Sequence, residues 1–274
     1  MKLVGNVALV TGGGRGIGRA IASKLLEHGA NVAILELNPE NAEKARVELS
    51  RTAPSCRVIA AVGSVASARD VKAAFDSAER ELGGPVQMLV NNAGMAILSP
   101  VADMPEEDWD TVMGVNLKGT FLCSREFSRR LIDAKVPGGV VNISSLNWLA
   151  ATDGLGHYCA AKAAVAQFTK VCAAEWGRYG LRANAIAPGS IRTPLTVDGG
   201  LLTGPMGEEF LSRTPLGRIG ETEDVANVAA FLLSDESYWI TGVTLSVDGG
   251  QHIRGLHSYW DTMHPAPEPQ LTTR

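Results

Sequence analysis

Seven short, nearly uninterrupted apolar runs recur along this chain, each separated from the next by a segment with helical spacing of its apolar residues. Strands that are apolar along their whole length are buried on both faces. They belong to a parallel sheet, whose strands need crossover helices that then cover the two sides. The runs are Val7 to Val10, Asn31 to Glu36, Arg57 to Ala61, Val86 to Val90, Gly139 to Ile143, Leu181 to Ala187 and Val243 to Val247. Between them the spacing predicts a first helix through Ile21, Leu25 and Leu26 that Gly29 closes, then helices over 39–51, 68–82, 106–132, 157–179 and 223–233. The predicted fold is a doubly wound α/β sheet of seven strands.

No linker, repeat or low-complexity stretch divides Met1 from Gly250, so residues 1–252 are predicted as one domain. Thr193 to Arg218 departs from the alternation, carrying Gly199, Gly200, Gly204, Pro205 and Gly207, and reads as a lid over a functional site. Residues 253–274, rich in His, Trp and Pro, read as a tail against a subunit interface or pocket. Twenty-five Lys and Arg against 29 Asp and Glu give a net charge of −4 without basic blocks, which argues against nucleic acid as a partner. Cys56, Cys123, Cys159 and Cys172 form no ligand pattern and suit reduced thiols, and His252, His257 and His264 fit no metal spacing, so no metal is expected. The N-terminal residues lack a signal-peptide pattern, and no apolar stretch is long enough to span a membrane. A cytoplasmic protein is the expectation.

The first strand runs straight into Thr11-Gly12-Gly13-Gly14-Arg15-Gly16-Ile17-Gly18 and a helix. A glycine turn there lets backbone approach a pyrophosphate, and the helix N-terminus supplies free N–H donors and partial positive charge. Glu36 closes the second strand, where a carboxylate can accept the two ribose hydroxyls of an adenosine and would repel a 2′-phosphate. Tyr158 and Lys162, four apart, share one face of a predicted helix, and Ser145 follows the strand that ends at Ile143, at the carboxyl edge where ligands bind open parallel sheets.

Together with Asn91-Asn92-Ala93-Gly94 and Pro188-Gly189-x-x-x-Thr193, these motifs resemble the short-chain dehydrogenases/reductases over about residues 3–252. The resemblance implies a single Rossmann domain with strand order 3-2-1-4-5-6-7, a nicotinamide dinucleotide, hydride transfer on the B face, and a homotetramer. It implies Asn116, Ser145, Tyr158 and Lys162 as the catalytic set. Tyr158 would act as proton acceptor, Lys162 and the positive nicotinamide ring would lower its pKa, Lys162 would also bind the nicotinamide ribose, Ser145 would orient the reacting oxygen, and Asn116 would complete a proton relay. Cofactor contacts are assigned to Gly12, Arg15, Gly16, Ile17, Gly18, Glu36, Ser64, Val65, Asn91, Ala93, Gly94, Tyr158, Lys162, Pro188, Gly189, Ile191 and Thr193. Ser64 stands where relatives often carry Asp or Asn. The acidic residue at Glu36 points to NAD over NADP.

The substrate side is expected among Gly94 to Ile97, Asn147 to Leu149, Gly154 to His157, and Leu195 to Phe210, with Asn147, Trp148, His157 and Leu195 as contacts. Its apolar character suits a hydrophobic or alicyclic alcohol, and Arg192 or His157 could meet the carboxylate of a hydroxy acid. The expected activity is NAD-dependent interconversion of a secondary alcohol and a ketone. An NADPH-dependent ketone reductase and a catalytically silent dinucleotide sensor are the alternatives.

Overall fold

The computed structural model describes residues 3–254 and Met263. Seven parallel strands form one sheet: β1 (Val7–Thr11), β2 (Asn31–Glu36), β3 (Val58–Val62), β4 (Val86–Asn91), β5 (Gly138–Ile143), β6 (Leu181–Pro188) and β7 (Thr244–Val247). Their order is β3-β2-β1-β4-β5-β6-β7. The chain reverses its direction of travel between β1 and β4, and the crevice at that switch point opens above the carboxyl ends of the strands.

Ten helices are described: α1 (Gly16–Glu27), α2 (Pro39–Thr52), α3 (Ala68–Leu82), α4 (Glu106–Met113), α5 (Gly119–Ala134), α6 (Gly156–Trp176), α7 (Pro194–Asp198), α8 (Gly204–Ser212), α9 (Thr222–Leu233) and α10 (Gln251–Arg254). Strand alternation sorts the core into two layers. Ala8, Val10 and Ile34 face one side with Ile21 and Leu25 of α1 and Val225 and Ala229 of α9. Val7, Leu9 and Leu35 face the other with Phe75 of α3, Phe127 and Leu131 of α5 and Trp176 at the end of α6. Both faces of the central strands are fully buried, which is what their unbroken apolar sequence requires.

Two predicted elements differ. The expected helix over 106–132 is interrupted by a π-helical turn, Gly114–Lys118, whose wider ring swings Asn116 off the regular helix face. The glycine-rich 193–218 segment holds two short helices, α7 and α8. Thr193 begins the first through a capping box with Thr196. The proposed tail lies almost entirely outside the described residues, with His257 and His264 among those left out. Just before the tail, at the end of the 1–252 domain, Gln251 is buried. Its Oε1 accepts from the Ser190 N–H at 2.8 Å, and its Nε2 donates to Ser190 Oγ and Thr214 Oγ1 at 2.9 Å. The strand-β7 end is thereby tied to both sides of the lid.

Candidate active site

The crevice at the switch point encloses about 480 Å³. One wall is the turn between β1 and α1. Gly12 there has φ +62°, a left-handed conformation that favours glycine. Asn92 clamps the turn, its Nδ2 donating to the carbonyls of Thr11 and Gly12 at 3.0 and 3.1 Å. Thr11 Oγ1 accepts from the N–H groups of Asn92 and Ala93, both at 3.0 Å, fixing β4 to β1 at the crevice floor. No side chain caps α1 and its first turn holds no acidic residue, so its N-terminal donors and dipole are aimed at the crevice without a competing anion.

Gly12, Arg15, Gly16 and Ile17 line this wall. Gly18 does not: a Cβ there would come within 2.3 Å of the Gly12 carbonyl, so its role is to let α1 pack close under the turn. Glu36 stands at the adenosine end, one carboxylate oxygen accepting from the Gly14 N–H at 3.0 Å and the other from the Asn38 N–H at 3.2 Å. Ser64 and Val65 line the same end. Asn91 is placed elsewhere. Strand parity puts it on the Leu89 face, and its Nδ2 donates to Ser124 Oγ at 2.9 Å and Asn142 Oδ1 at 2.8 Å inside the core. Its neighbour Asn92 reaches the crevice instead, and the alternation of the strand carried that signal.

At the opposite end, Ser145, Tyr158 and Lys162 line the crevice with Ala93, Gly94, Pro188, Gly189, Ile191, Thr193 and Leu195. The turn after β5 presents Ser145, and the first two turns of α6 present Tyr158 and Lys162, with Nζ 5.5 Å from the tyrosine ring centre. Lys162 is buried, and Nζ donates to the Ile143 carbonyl at 2.9 Å. Burial lowers its pKa from the ordinary lysine value to about 8. Burial also pushes the Tyr158 phenol up, while the Ser145 hydroxyl beside it pulls the other way. The acidification expected from Lys162 and the positive nicotinamide ring is thus opposed by burial, which is the largest influence on the phenol within the protein itself.

Asn116 does not line the crevice but lies directly beneath it. Its Nδ2 donates to the carbonyls of Val112 at 2.9 Å and Met95 at 2.8 Å, while its buried Oδ1 has no partner among the described residues. That oxygen points at Gly94, where an added Cβ would lie 2.7 Å from it and 3.4 Å from Lys162 Nζ. A buried acceptor left open beside a lysine ammonium suits a bridging water of a proton relay.

Three expected substrate contacts are absent from the lining. Asn147 turns inward to hold Ser145. Trp148 is half-buried behind it, with its indole nitrogen enclosed. His157 is fully buried, its Nδ1 accepting from the Tyr158 N–H at 2.9 Å, and burial depresses its pKa. Arg192 pairs outward with Glu221 at 3.1 Å. Met206 and Phe210 of α8, within the lid segment itself, are buried. Met95, Ala96, Val115 and Leu195 form the apolar mouth. No group of three or more His, Cys, Asp or Glu side chains suited to a metal occurs among the described residues.

A free helix N-terminus beneath a glycine turn, a carboxylate at the end of β2, and a Ser, Tyr and Lys cluster at the end of β5 together define a dinucleotide-binding oxidoreductase site. The residues present fit a nicotinamide dinucleotide: α1 has no side-chain cap and no acidic residue in its first turn, and the glycine turn before it lines the crevice.

A family model described as enoyl-(acyl carrier protein) reductase matches residues 12–252. The chain is 39% identical over 253 residues to the D-threitol dehydrogenase of Mycolicibacterium smegmatis, covering 92% of this chain and 95% of that one. It is 40% identical over 248 residues to a 3-oxoacyl-[acyl-carrier-protein] reductase of Chlamydia muridarum, covering 90% and 98%. Among solved structures, a gluconate 5-dehydrogenase from Burkholderia cenocepacia in complex with NADP and tartrate superposes with a TM-score of 0.85 at 36% identity, over 91% of this chain and 96% of that one. The chain belongs to the short-chain dehydrogenase/reductase family. It is an oxidoreductase acting on CH–OH groups and their carbonyl counterparts.

Proposed function

We propose that the protein is an NAD-dependent dehydrogenase that interconverts a secondary alcohol and a ketone. The observation that carries the NAD preference is the Glu36 carboxylate, held in the crevice by the N–H groups of Gly14 and Asn38. Anchored there, it can accept from a ribose diol and would sit against a 2′-phosphate with like charge. Arg15 lines the same end and would favour a phosphate, and two of the structural relatives were solved with NADP, so the NADPH-dependent reverse reaction is the second reading.

In this reading the alcohol enters past Met95, Ala96 and Leu195, and Tyr158 receives its hydroxyl proton while Ser145 orients the oxygen. The bound nicotinamide supplies hydride acceptance and a positive charge that favours the phenolate. Lys162 holds the nicotinamide ribose and, with Asn116, passes the proton toward solvent. Ile191 and Thr193 would hold the carboxamide, Ser64 and Val65 would border the adenine, and Pro188 and Gly189 would line the nicotinamide end. The apolar mouth favours a hydrophobic or alicyclic substrate. Arg192, paired with Glu221 outside the crevice, gives little support to the hydroxy-acid alternative.

Residues 1–252 would work as one catalytic domain, with 193–218 as its lid. Four free thiols support a reducing, cytoplasmic setting. No helix among the described residues is long and apolar enough to cross a membrane. A homotetramer is supported by apolar side chains left uncovered on α5 and α6, including Phe121 and Val171, and along the edge strand β7. The test is reduction of NAD and NADP, followed in parallel by absorbance over a panel of alicyclic alcohols, hydroxy acids, polyols and steroids. NAD reduction by one class of secondary alcohol is expected. Equal or better rates with NADP would overturn the cofactor preference, and dinucleotide binding without turnover on any class would favour a sensor.

A further inference from the structure

We propose that Gln251 is a positioning residue for the nicotinamide end of the site: its carboxamide holds the segment that leads into Ile191 and Thr193 together with the far root of the lid, so that cofactor seat and lid share one support. The inference rests on the reading above, in which Ile191 and Thr193 hold the cofactor carboxamide.

The run Val247-Asp248-Gly249-Gly250-Gln251 brings the side chain to this place. Gly249 and Gly250 have φ +63° and +91°, left-handed values that turn the chain as it leaves β7. The Asp248 carboxylate accepts from the N–H groups of Gly250 at 3.0 Å and His252 at 2.8 Å, which fixes the backbone on either side of Gln251. Gly189, just past the end of β6, packs so closely on Gln251 that an added Cβ would lie 2.3 Å from Oε1.

The buried amide has one workable orientation. Oε1 accepts from the Ser190 N–H, which can only donate, at 2.8 Å. The two Nε2 protons go to Ser190 Oγ and Thr214 Oγ1, both at 2.9 Å, with the Phe210 carbonyl, which can only accept, at 3.4 Å. Reversal would set NH₂ against N–H and oxygen against carbonyl. Ser190 is held by both ends of the amide, and its carbonyl and the Arg192 N–H bond to Gly220 at 2.9 and 2.8 Å. That alternation turns the Ile191 N–H the other way, where it has no partner among the described residues. Ile191 lines the crevice, and Thr196 Oγ1 donates to its carbonyl at 2.8 Å, so the lid starts from the residue that Gln251 supports. At the other end of the lid, Thr214 Oγ1 donates to the Phe210 carbonyl at 2.8 Å while it accepts from Gln251. One side chain therefore sets the backbone donor offered to the cofactor carboxamide and secures the end of α8.

ADP-ribose carries the adenosine end of the cofactor without the nicotinamide, so titrating the full chain with NADH and with ADP-ribose separates the two ends of the crevice. In Gln251→Leu the Kd for NADH should rise roughly fivefold, the scale of one ordinary hydrogen bond, while that for ADP-ribose stays within about twofold. An equal loss of both would show a merely structural role and overturn the proposal, as would no change in either. The tie to the lid has a readout without cofactor: trypsin cleavage after Arg213 should be roughly fivefold faster in Gln251→Leu, and an unchanged rate overturns the proposal. Thr214→Val removes only the anchor on the lid side. It should speed cleavage in the same sense with a smaller change in the ratio of the two Kd values, and it decides the matter if the first variant does not fold. If the wild type binds NADPH in place of NADH, the NAD reading fails, and Gln251 is judged on the same ratio between NADPH and 2′-phospho-ADP-ribose.

Discussion

At the scale of single residues, the catalytic end of the crevice combines groups whose burial works against their charge. Tyr158→Phe removes a proton acceptor and no cofactor contact beyond one hydroxyl, so turnover should drop by at least ~10²-fold while dinucleotide affinity stays within a few-fold. Stopped-flow turnover beside fluorescence titration of the cofactor checks both halves, and near-normal turnover would remove Tyr158 from the proton path. Lys162 has a stability signature of its own. Its folded pKa is about 8 against an ordinary 10.5, so between those values the unfolded chain binds more protons than the folded one. By linkage, stability contributed by this group rises with pH through that window and is lost again as pH falls toward 8. The wild type should therefore gain about 2 kcal/mol between pH 8 and pH 10 relative to Lys162→Met, measured by urea denaturation of each at both pH values. Parallel pH dependences for the two proteins would mean that Lys162 is not held against its charge.

At the scale of elements, the structure rests the dinucleotide end on contacts between neighbouring segments. The glycine turn is held from outside, by Asn92 at the end of β4, so Asn92→Leu should raise the cofactor dissociation constant roughly tenfold by freeing the Thr11 and Gly12 carbonyls. Isothermal titration with NAD measures this, and an unchanged constant would show a turn that holds itself. The choice of Asn92 over Asn91 illustrates what could be read in the chain and what could not. All seven strands were legible as apolar runs between crossover helices, while their order was expected only from the resemblance of the motifs to the family, and the sheet follows it. So were the crevice positions of Glu36, Ser145, Tyr158 and Lys162, because each follows the end of a strand or shares a helix face. Asn91 was misplaced by treating a motif as a unit when strand parity separates its members. The π-helical turn at Gly114–Lys118 was hidden, because one extra residue in a helix leaves almost no mark on a 3.6-residue period; only the flanking Gly114 and Gly119 hint at it. The inward orientation of Asn147 and His157 depends on partners distant in the chain or on local turns, which periodicity does not report.

At the scale of the whole molecule, the described residues leave apolar surface uncovered among themselves. On α5 and α6, Phe121 packs edge to face on Phe168 at 6.3 Å between ring centres, yet Phe121 and the neighbouring Val171 are each more than 40% exposed. These two helices also carry the site: α6 presents Tyr158 and Lys162, and α5 continues from the turn that holds Asn116. A partner covering this face would stiffen both supports of the catalytic cluster, so assembly and activity should be coupled through the same helices. Phe121→Glu places a charge where association would desolvate it, at a cost that one subunit contact cannot repay. Sedimentation velocity should show the wild type as a tetramer and the variant as smaller species at micromolar concentration, with the monomer fold kept by circular dichroism. Turnover per site should fall with dissociation and recover as protein concentration is raised. Full activity in a dissociated variant would show that each subunit holds its catalytic helices in place alone, and would confine the uncovered face to a role in assembly.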